Sequence, residues 1–184
     1  MFVGSEVVVD VSFGVACGRV ATLAHTGWLG SASGAAYREW GTGLARVGPL
    51  DSVPTMSRLV EVRFRDLVTH GESAVLALRW EAVGPGGGLF PVLDADITLT
   101  PLAESATALS LAGSYRPPLG KVGAVLDRVV LRRVAVATIR GFVERVGDAV
   151  VNPAVAAVWA EENGENAEGG AFGPFLFTPP PETT

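Results

Sequence analysis

Residues 93–101 read LDADITLTP, and apolar and polar side chains alternate through the whole stretch. Successive side chains of a β-strand point to opposite faces, so Leu93, Ala95, Ile97 and Leu99 share one face and the acidic and hydroxyl residues share the other. A period of two is typical of a strand in an antiparallel sheet that is dry on one side and wet on the other.

The same alternation recurs before and after this stretch, with turn sequences in between. The segments are residues 5–13, 58–69, 74–83 and 107–115. A tight connection at residues 70–72 (HGE) and a glycine-rich turn at residues 84–88 predict that neighbouring strands run antiparallel. Pro117 and Pro118 end the last strand, because proline cannot donate to a β-ladder.

Helix-forming sequence follows the first strand and the last strand. We expect two short helices at residues 17–25 and 31–40, and a short strand at residues 44–47. Residues 119–147 contain no proline and predict one long helix, about 40 Å at ~1.5 Å per residue. The fold class is therefore α+β, with six to seven strands, and the final helix covers the dry side of the sheet.

Composition sets the number of domains and the class of partner. The chain has 184 residues, of which 48% are hydrophobic and 18% charged, with a net charge of −5. We expect one folded domain over residues 1–150 and a C-terminal extension over residues 151–184, flexible or docked on the domain. The acidic balance predicts no binding to nucleic acid, which requires a basic surface.

The lack of recognisable sorting signals in this sequence predicts a cytoplasmic protein. Cys17 is the one cysteine, so an internal disulfide cannot form. Residues 1–6 lack the basic start of a signal peptide, and no apolar run approaches the roughly 18 residues of a membrane helix. The expectation is a cytoplasmic protein without membrane insertion.

Motifs for metal, phosphate or nucleophilic chemistry are missing from the sequence. His25, His70 and Cys17 are not spaced as a zinc site. Residues 30–34 (GSASG) carry alanine where a nucleophile elbow has its serine, and residues 84–88 lack the lysine of a phosphate loop. We therefore predict no metal, no cofactor and no catalytic residue.

The order of elements, over residues 5–146, resembles the START-like, polyketide cyclase/dehydrase-like (SRPBCC) superfamily with its helix-grip fold. Residues 76–80 (LALRW), 93–101 and 113–120 (GSYRPPLG) are similar to segments of actinobacterial members. The resemblance implies a curved antiparallel sheet wrapped around the long C-terminal helix. It also implies an apolar cavity between them, which known members use for lipids, polyketides, hormones or aromatic compounds.

We expect that cavity to bind or transport a small apolar or aromatic molecule, lipid-like or polyketide-like. Residues placed on its walls or rim are Trp28, Tyr37, Leu78, Trp80, Phe90, Leu93, Ala95, Leu111, Tyr115, Val129 and Arg133. One alternative is a cyclase or dehydratase, in which His25, Tyr115 or Arg133 points into the pocket. Another is an interaction protein that forms a homodimer through the long helix or the tail.

Overall fold

The protein is described by a computed structural model over residues 2–47, 60–82, 92–116 and 128–156. One antiparallel sheet and three helices make up this part of the chain. The strands are β1 (Phe2–Val9), β2 (Val60–Phe64), β3 (Val68–His70), β4 (Ser73–Ala82), β5 (Val92–Ala103) and β6 (Ala106–Arg116). The helices are α1 (Phe13–His25), α2 (Trp28–Val47) and α3 (Arg128–Val151). This confirms the α+β class, with a six-stranded curved antiparallel sheet and a C-terminal helix.

The strand order is β1-β6-β5-β4-β2, with β3 also paired to β4. Every pair is antiparallel, as the short connections predict. At the turn between β3 and β4, Gly71 has φ 59°, a left-handed conformation that other residues rarely adopt. The hydroxyl of Ser73 donates to the carbonyl of His70 at 3.1 Å and closes this turn.

The alternating pattern sets the concave face of the sheet. On β4, Leu76, Leu78 and Trp80 are buried, whereas Arg79 and Glu81 between them form an ion pair of 2.6 Å on the opposite, convex face. On β5, the apolar side chains are buried in the same way, namely Leu93, Ala95, Ile97 and Leu99. The prediction of one dry face is confirmed for these two strands.

Helix α3 lies against the edge of the sheet formed by β1 and β6, and α2 lies beside α3 and reaches β2. Gly147 permits the close approach to β1, because a Cβ atom there would come within 3.0 Å of Cγ1 of Val7. Farther along α3, the ring of Phe142 meets Trp80 of β4 edge-on, with centroids 5.1 Å apart and planes at 87°. Side chains therefore connect α3 to the middle of the sheet.

Two arginines hold the helices together. The guanidinium of Arg19 on α1 donates to the carbonyls of Val150 (2.5 Å) and Val151 (3.0 Å) at the C-terminal end of α3. These carbonyls have no partner within the helix, so the cation both satisfies them and matches the helix dipole. Arg145 on α3 pairs with Glu39 on α2.

The structure corrects one predicted strand and the bounds of three other elements. The short strand predicted at residues 44–47 is wrong, because α2 continues through its glycines to Val47. Helices α1 and α2 are longer than predicted: Ser12 precedes the first turn of α1, and Gly27 at φ 77° separates the two. The first strand ends at Val9, earlier than the predicted residues 5–13.

The predicted strand at residues 58–69 is two strands, separated by a bulge. Phe64 pairs with Leu78 and Val68 with Val75, so this strand has one more residue than its partner between the two pairs. An extra residue reverses which side chains face the core. As a result Leu67 packs against the core and Val68 is exposed.

The predicted long helix begins, in the described part, at Arg128 and extends past residue 147 to Val151. Residues 119–127 and the tail beyond residue 156 lie outside the described residues. Within the described residues, no helix combines the length and the apolar character that crossing a bilayer requires.

Candidate functional site

The concave face is built from rows of side chains that run across β4, β5 and β6. In the first row, Trp80 pairs with Leu93 and Leu93 with Tyr115. All three side chains are buried. Paired residues of adjacent strands have their Cβ atoms about 5 Å apart, so the row forms a continuous apolar surface with two large aromatic groups.

The second row contains small residues. Leu78 pairs with Ala95, and Ala95 pairs with Gly113. The backbones of β5 and β6 come so close here that a Cβ atom at Gly113 would lie 2.4 Å from Cβ of Ala95. We call the second row shallow, because it presents only the methyl group of Ala95 on β5 and no side chain at Gly113 on β6, next to the bulky first row.

Solvent exposure differs between the two ends of this interior. The residues of the first two rows keep 3% to 8% of their surface exposed, namely Leu78, Trp80, Leu93, Ala95 and Tyr115. In the next two rows exposure is at most 1%, for Ala74, Leu76, Ile97, Leu99, Leu109 and Leu111. We call the first group the loose end and the second the tight end.

Helix α3 shows the same gradient. Phe142 contacts Trp80 at the loose end, and Gly147 lies next to Val7 of β1 near the tight end, so α3 runs from loose to tight. Ala135, Thr138 and Ile139, in the N-terminal half, are 2%, 8% and 3% exposed. Val143, Val146, Ala149 and Val150, in the C-terminal half, are at most 1% exposed. The buried residues of the sheet and of the helix are thus almost fully shielded from solvent at one end and slightly exposed at the other.

One polar atom at the loose end lacks a partner. The indole nitrogen of Trp80 is buried, and it has no hydrogen-bond acceptor within the described ranges. The hydroxyl of Ser33 on α2 is in the same condition. A buried donor without an acceptor costs about 1–3 kcal/mol, so such groups are rare in folded proteins.

Of the eleven residues predicted for the cavity, the structure brings five together at the loose end, namely Leu78, Trp80, Leu93, Ala95 and Tyr115. Leu111 lies one row farther, at the tight end, and Trp28 is buried at the start of α2 in the same hydrophobic core. Phe90 and the side chains of Tyr37 and Val129 lie outside the described residues.

Arg133 is not part of this group, because its side chain is exposed. It is nine residues from Phe142, or two and a half helical turns, and therefore lies on the opposite side of α3. Thr138 and Ile139 were missed as lining residues. Their spacing of three and four residues before Phe142 is the signal that would have found them.

The groups considered for acid–base or nucleophilic chemistry lie mostly at the surface. His25 is exposed at the end of α1, with Nδ1 2.7 Å from the carbonyl oxygen of Ala21, and His70 is exposed in its turn. Burial raises the pKa of the Cys17 thiol, which favours the unreactive protonated form. Tyr115 is the one ionisable side chain among the buried residues of the described segments.

Asp94 and Asp96 lie on the convex face and do not form a cation site with their neighbours. Asp94 accepts from Arg79 at 2.9 Å and from Arg116 at 3.4 Å. Across the described segments, no three His, Cys, Asp or Glu side chains come together as metal ligands would.

Comparisons with known proteins give similarity to solved structures alone: no family model and no curated protein matches the chain. A hypothetical protein from Helicobacter pylori is 14% identical over 79% of this chain and 88% of its own, with a TM-score of 0.43. An aromatase/cyclase from a Streptomyces species is 15% identical over 93% and 99%, with a TM-score of 0.33. Norcoclaurine synthase from Thalictrum is 10% identical over 79% and 94%, with a TM-score of 0.29. The functional argument below uses this chain's own residues.

Proposed function

We propose that this protein binds a small apolar or aromatic molecule, lipid-like or polyketide-like, between the loose end of the sheet and the N-terminal half of α3. The observation that supports the proposal is the packing gradient. The sheet rows go from at most 1% exposure to between 3% and 8%, and in the same direction the buried residues of α3 go from at most 1% to between 2% and 8%. Protein interiors are normally packed as densely as organic crystals, so an end that solvent still reaches, next to one that it does not, is the favoured place for a ligand.

The side chains at the loose end determine which ligand fits. They are aliphatic and aromatic, and Ala95 contributes only a methyl group beside the large Trp80 and Tyr115. No Lys, Arg, His, Asp or Glu side chain is buried within the described segments. A buried charge without a partner is costly, so the ligand is neutral where it contacts these residues.

A neutral fluorescent probe, N-phenyl-1-naphthylamine, tests the proposal directly. Its emission rises in apolar surroundings, and we expect saturable binding to the wild-type protein. The variant Ala95→Leu places a larger side chain in the shallow second row, and we expect at least about tenfold weaker binding, or ~1.4 kcal/mol. The full chain is used, and circular dichroism verifies that each variant is folded.

Ala112→Leu is the matched control. Ala112 is the neighbour of Gly113 on β6, but its side chain is exposed on the convex face. The same substitution there adds the same atoms outside the interior, so the affinity for the probe should stay as in wild type. Saturable binding that is equal in all three proteins, or no binding to the wild type, would refute the proposed site.

A further inference from the structure

We infer that the ligand carries a neutral hydrogen-bond acceptor, such as a ketone oxygen, which the indole N–H of Trp80 binds. This inference rests on the proposed function and narrows the class of ligand. Trp80 is 4% exposed, and its indole nitrogen has no acceptor among the residues that the structure describes. It lies in the first row of the loose end, beside Leu93 and one row from Ala95.

The argument begins with the choice of tryptophan. A leucine or phenylalanine would fill an apolar position without bringing in a donor, whereas a buried tryptophan normally hydrogen-bonds its N–H. At the tight end, by contrast, the two sheet rows contain only aliphatic residues, namely Ala74, Leu76, Ile97, Leu99, Leu109 and Leu111. The unpartnered donor therefore occurs at the end where the packing leaves room for a ligand.

The acceptor must be neutral, because no charged side chain is buried in the described segments to pair with it. A carboxylate would require a cation, and the guanidinium of Arg133 is on the exposed side of α3. A ketone or ether oxygen accepts one hydrogen bond and brings no charge into the interior. The ligand class is thus a compact hydrocarbon, aromatic or alicyclic, with an acceptor oxygen at one edge.

Binding also changes the contact between two rings. The indole nitrogen is covered as well as unpartnered, with Phe142 packed on Trp80 edge-to-face at 5.1 Å. Because the nitrogen is fully covered, we expect an acceptor to reach the N–H by a rotation of one of these rings. The ligand then replaces part of the Trp80–Phe142 contact and supplies the missing acceptor.

Two ligands of nearly equal shape test this inference. Tetralin and α-tetralone have the same fused rings, and only α-tetralone carries a ketone oxygen. Their dissociation constants are measured by displacement of N-phenyl-1-naphthylamine from the wild type and from Trp80→Phe, which keeps an aromatic ring but removes the N–H. Comparing the two ligands in both proteins cancels their different hydration. We expect the preference for α-tetralone to be about tenfold smaller in Trp80→Phe, the effect of one buried hydrogen bond.

A second measurement does not depend on the variant folding. In proton–nitrogen correlation spectra of the wild type, the Trp80 indole signal is identified by its proximity to the Phe142 ring protons. We expect α-tetralone to shift this proton downfield, as a hydrogen bond does, and tetralin to leave it without that shift.

The outcomes separate the inference from the proposed function. If both ligands bind, the preference is unchanged in Trp80→Phe and the indole signal responds equally to both, the inference is overturned and the proposed function stands. If the probe binds the wild type but neither ligand displaces it, the inference is overturned and the proposed function stands. If the probe itself does not bind the wild type, both are overturned. A preference that depends on Trp80, with the selective indole shift, supports both.

Discussion

Gly113→Ala is the most exacting test of the geometry on which the shallow row depends. A Cβ atom at residue 113 would lie 2.4 Å from Cβ of Ala95, 2.4 Å from the carbonyl oxygen of Asp94 and 2.6 Å from Cα of Ala95. The backbone of β5 fixes all three atoms, because an alanine Cβ is bonded directly to its Cα, so none of them can rotate away. Relief therefore requires β5 and β6 to separate, which we expect to cost about 2–3 kcal/mol, at the upper end of overpacking in a core.

Gly18→Ala is the control, because we expect it to raise the free energy of unfolding where Gly113→Ala lowers it. Gly18 lies inside α1, and a Cβ atom there would meet nothing within 4 Å. Alanine in a helix interior is more favourable than glycine by about 1 kcal/mol, so this variant should be more stable than wild type. Urea denaturation followed by circular dichroism measures both, with the m-value unchanged in a two-state transition.

The double variant Gly113→Ala, Ala95→Gly tests which of the three close contacts destabilises Gly113→Ala. Removing Cβ of Ala95 eliminates one clash but leaves the two with the β5 backbone, so it should recover only part of the lost stability. If Gly113→Ala is as stable as wild type, or if Ala95→Gly restores it completely, the close approach of the two strands is not as the structure has it.

Three further predictions concern the helices. Phe142→Ala should lower the free energy of unfolding by about 3–5 kcal/mol in urea denaturation, because a fully buried ring and its contact with Trp80 are lost; a loss below 1 kcal/mol would contradict its burial. Arg19→Met should cost about 1–2 kcal/mol and speed amide hydrogen exchange in the last turn of α3, whereas unchanged exchange would exclude the Arg19 cap. Cys17 should react with iodoacetamide more slowly than a free thiol at neutral pH, with its rate rising only at higher pH because burial raises its pKa; a rate equal to that of a model thiol would refute this.

Local patterns were sufficient to predict the strands and their inner face, because a period of two is set by backbone geometry alone. Leu76, Leu78 and Trp80 were placed correctly for this reason. The bulge between β2 and β3 could not be predicted in this way, since the register of Phe64 and Val68 depends on their partners in β4.

The helices show where such patterns fail. The glycines of residues 41–47 favour a turn in isolation, yet α2 continues through them beside α3. For α3, the apolar sequence did not fix which side of the helix faces the sheet, so the exposure of Arg133, one of the residues predicted for the walls or rim, could not be derived from it. The unpartnered N–H of Trp80 is a property of the packed interior and has no counterpart in the order of residues.

Pairing between the two ends of the described chain has a consequence for synthesis on the ribosome. β1 completes the sheet by pairing with β6, and Arg19 binds carbonyls 131 and 132 residues later in the chain. Contacts so distant in sequence slow folding, because a long loop must be closed before they form. We therefore expect the first strand and α1 to lack their final neighbours until β6 and α3 have been synthesised, so that their apolar side chains stay unburied during this part of translation.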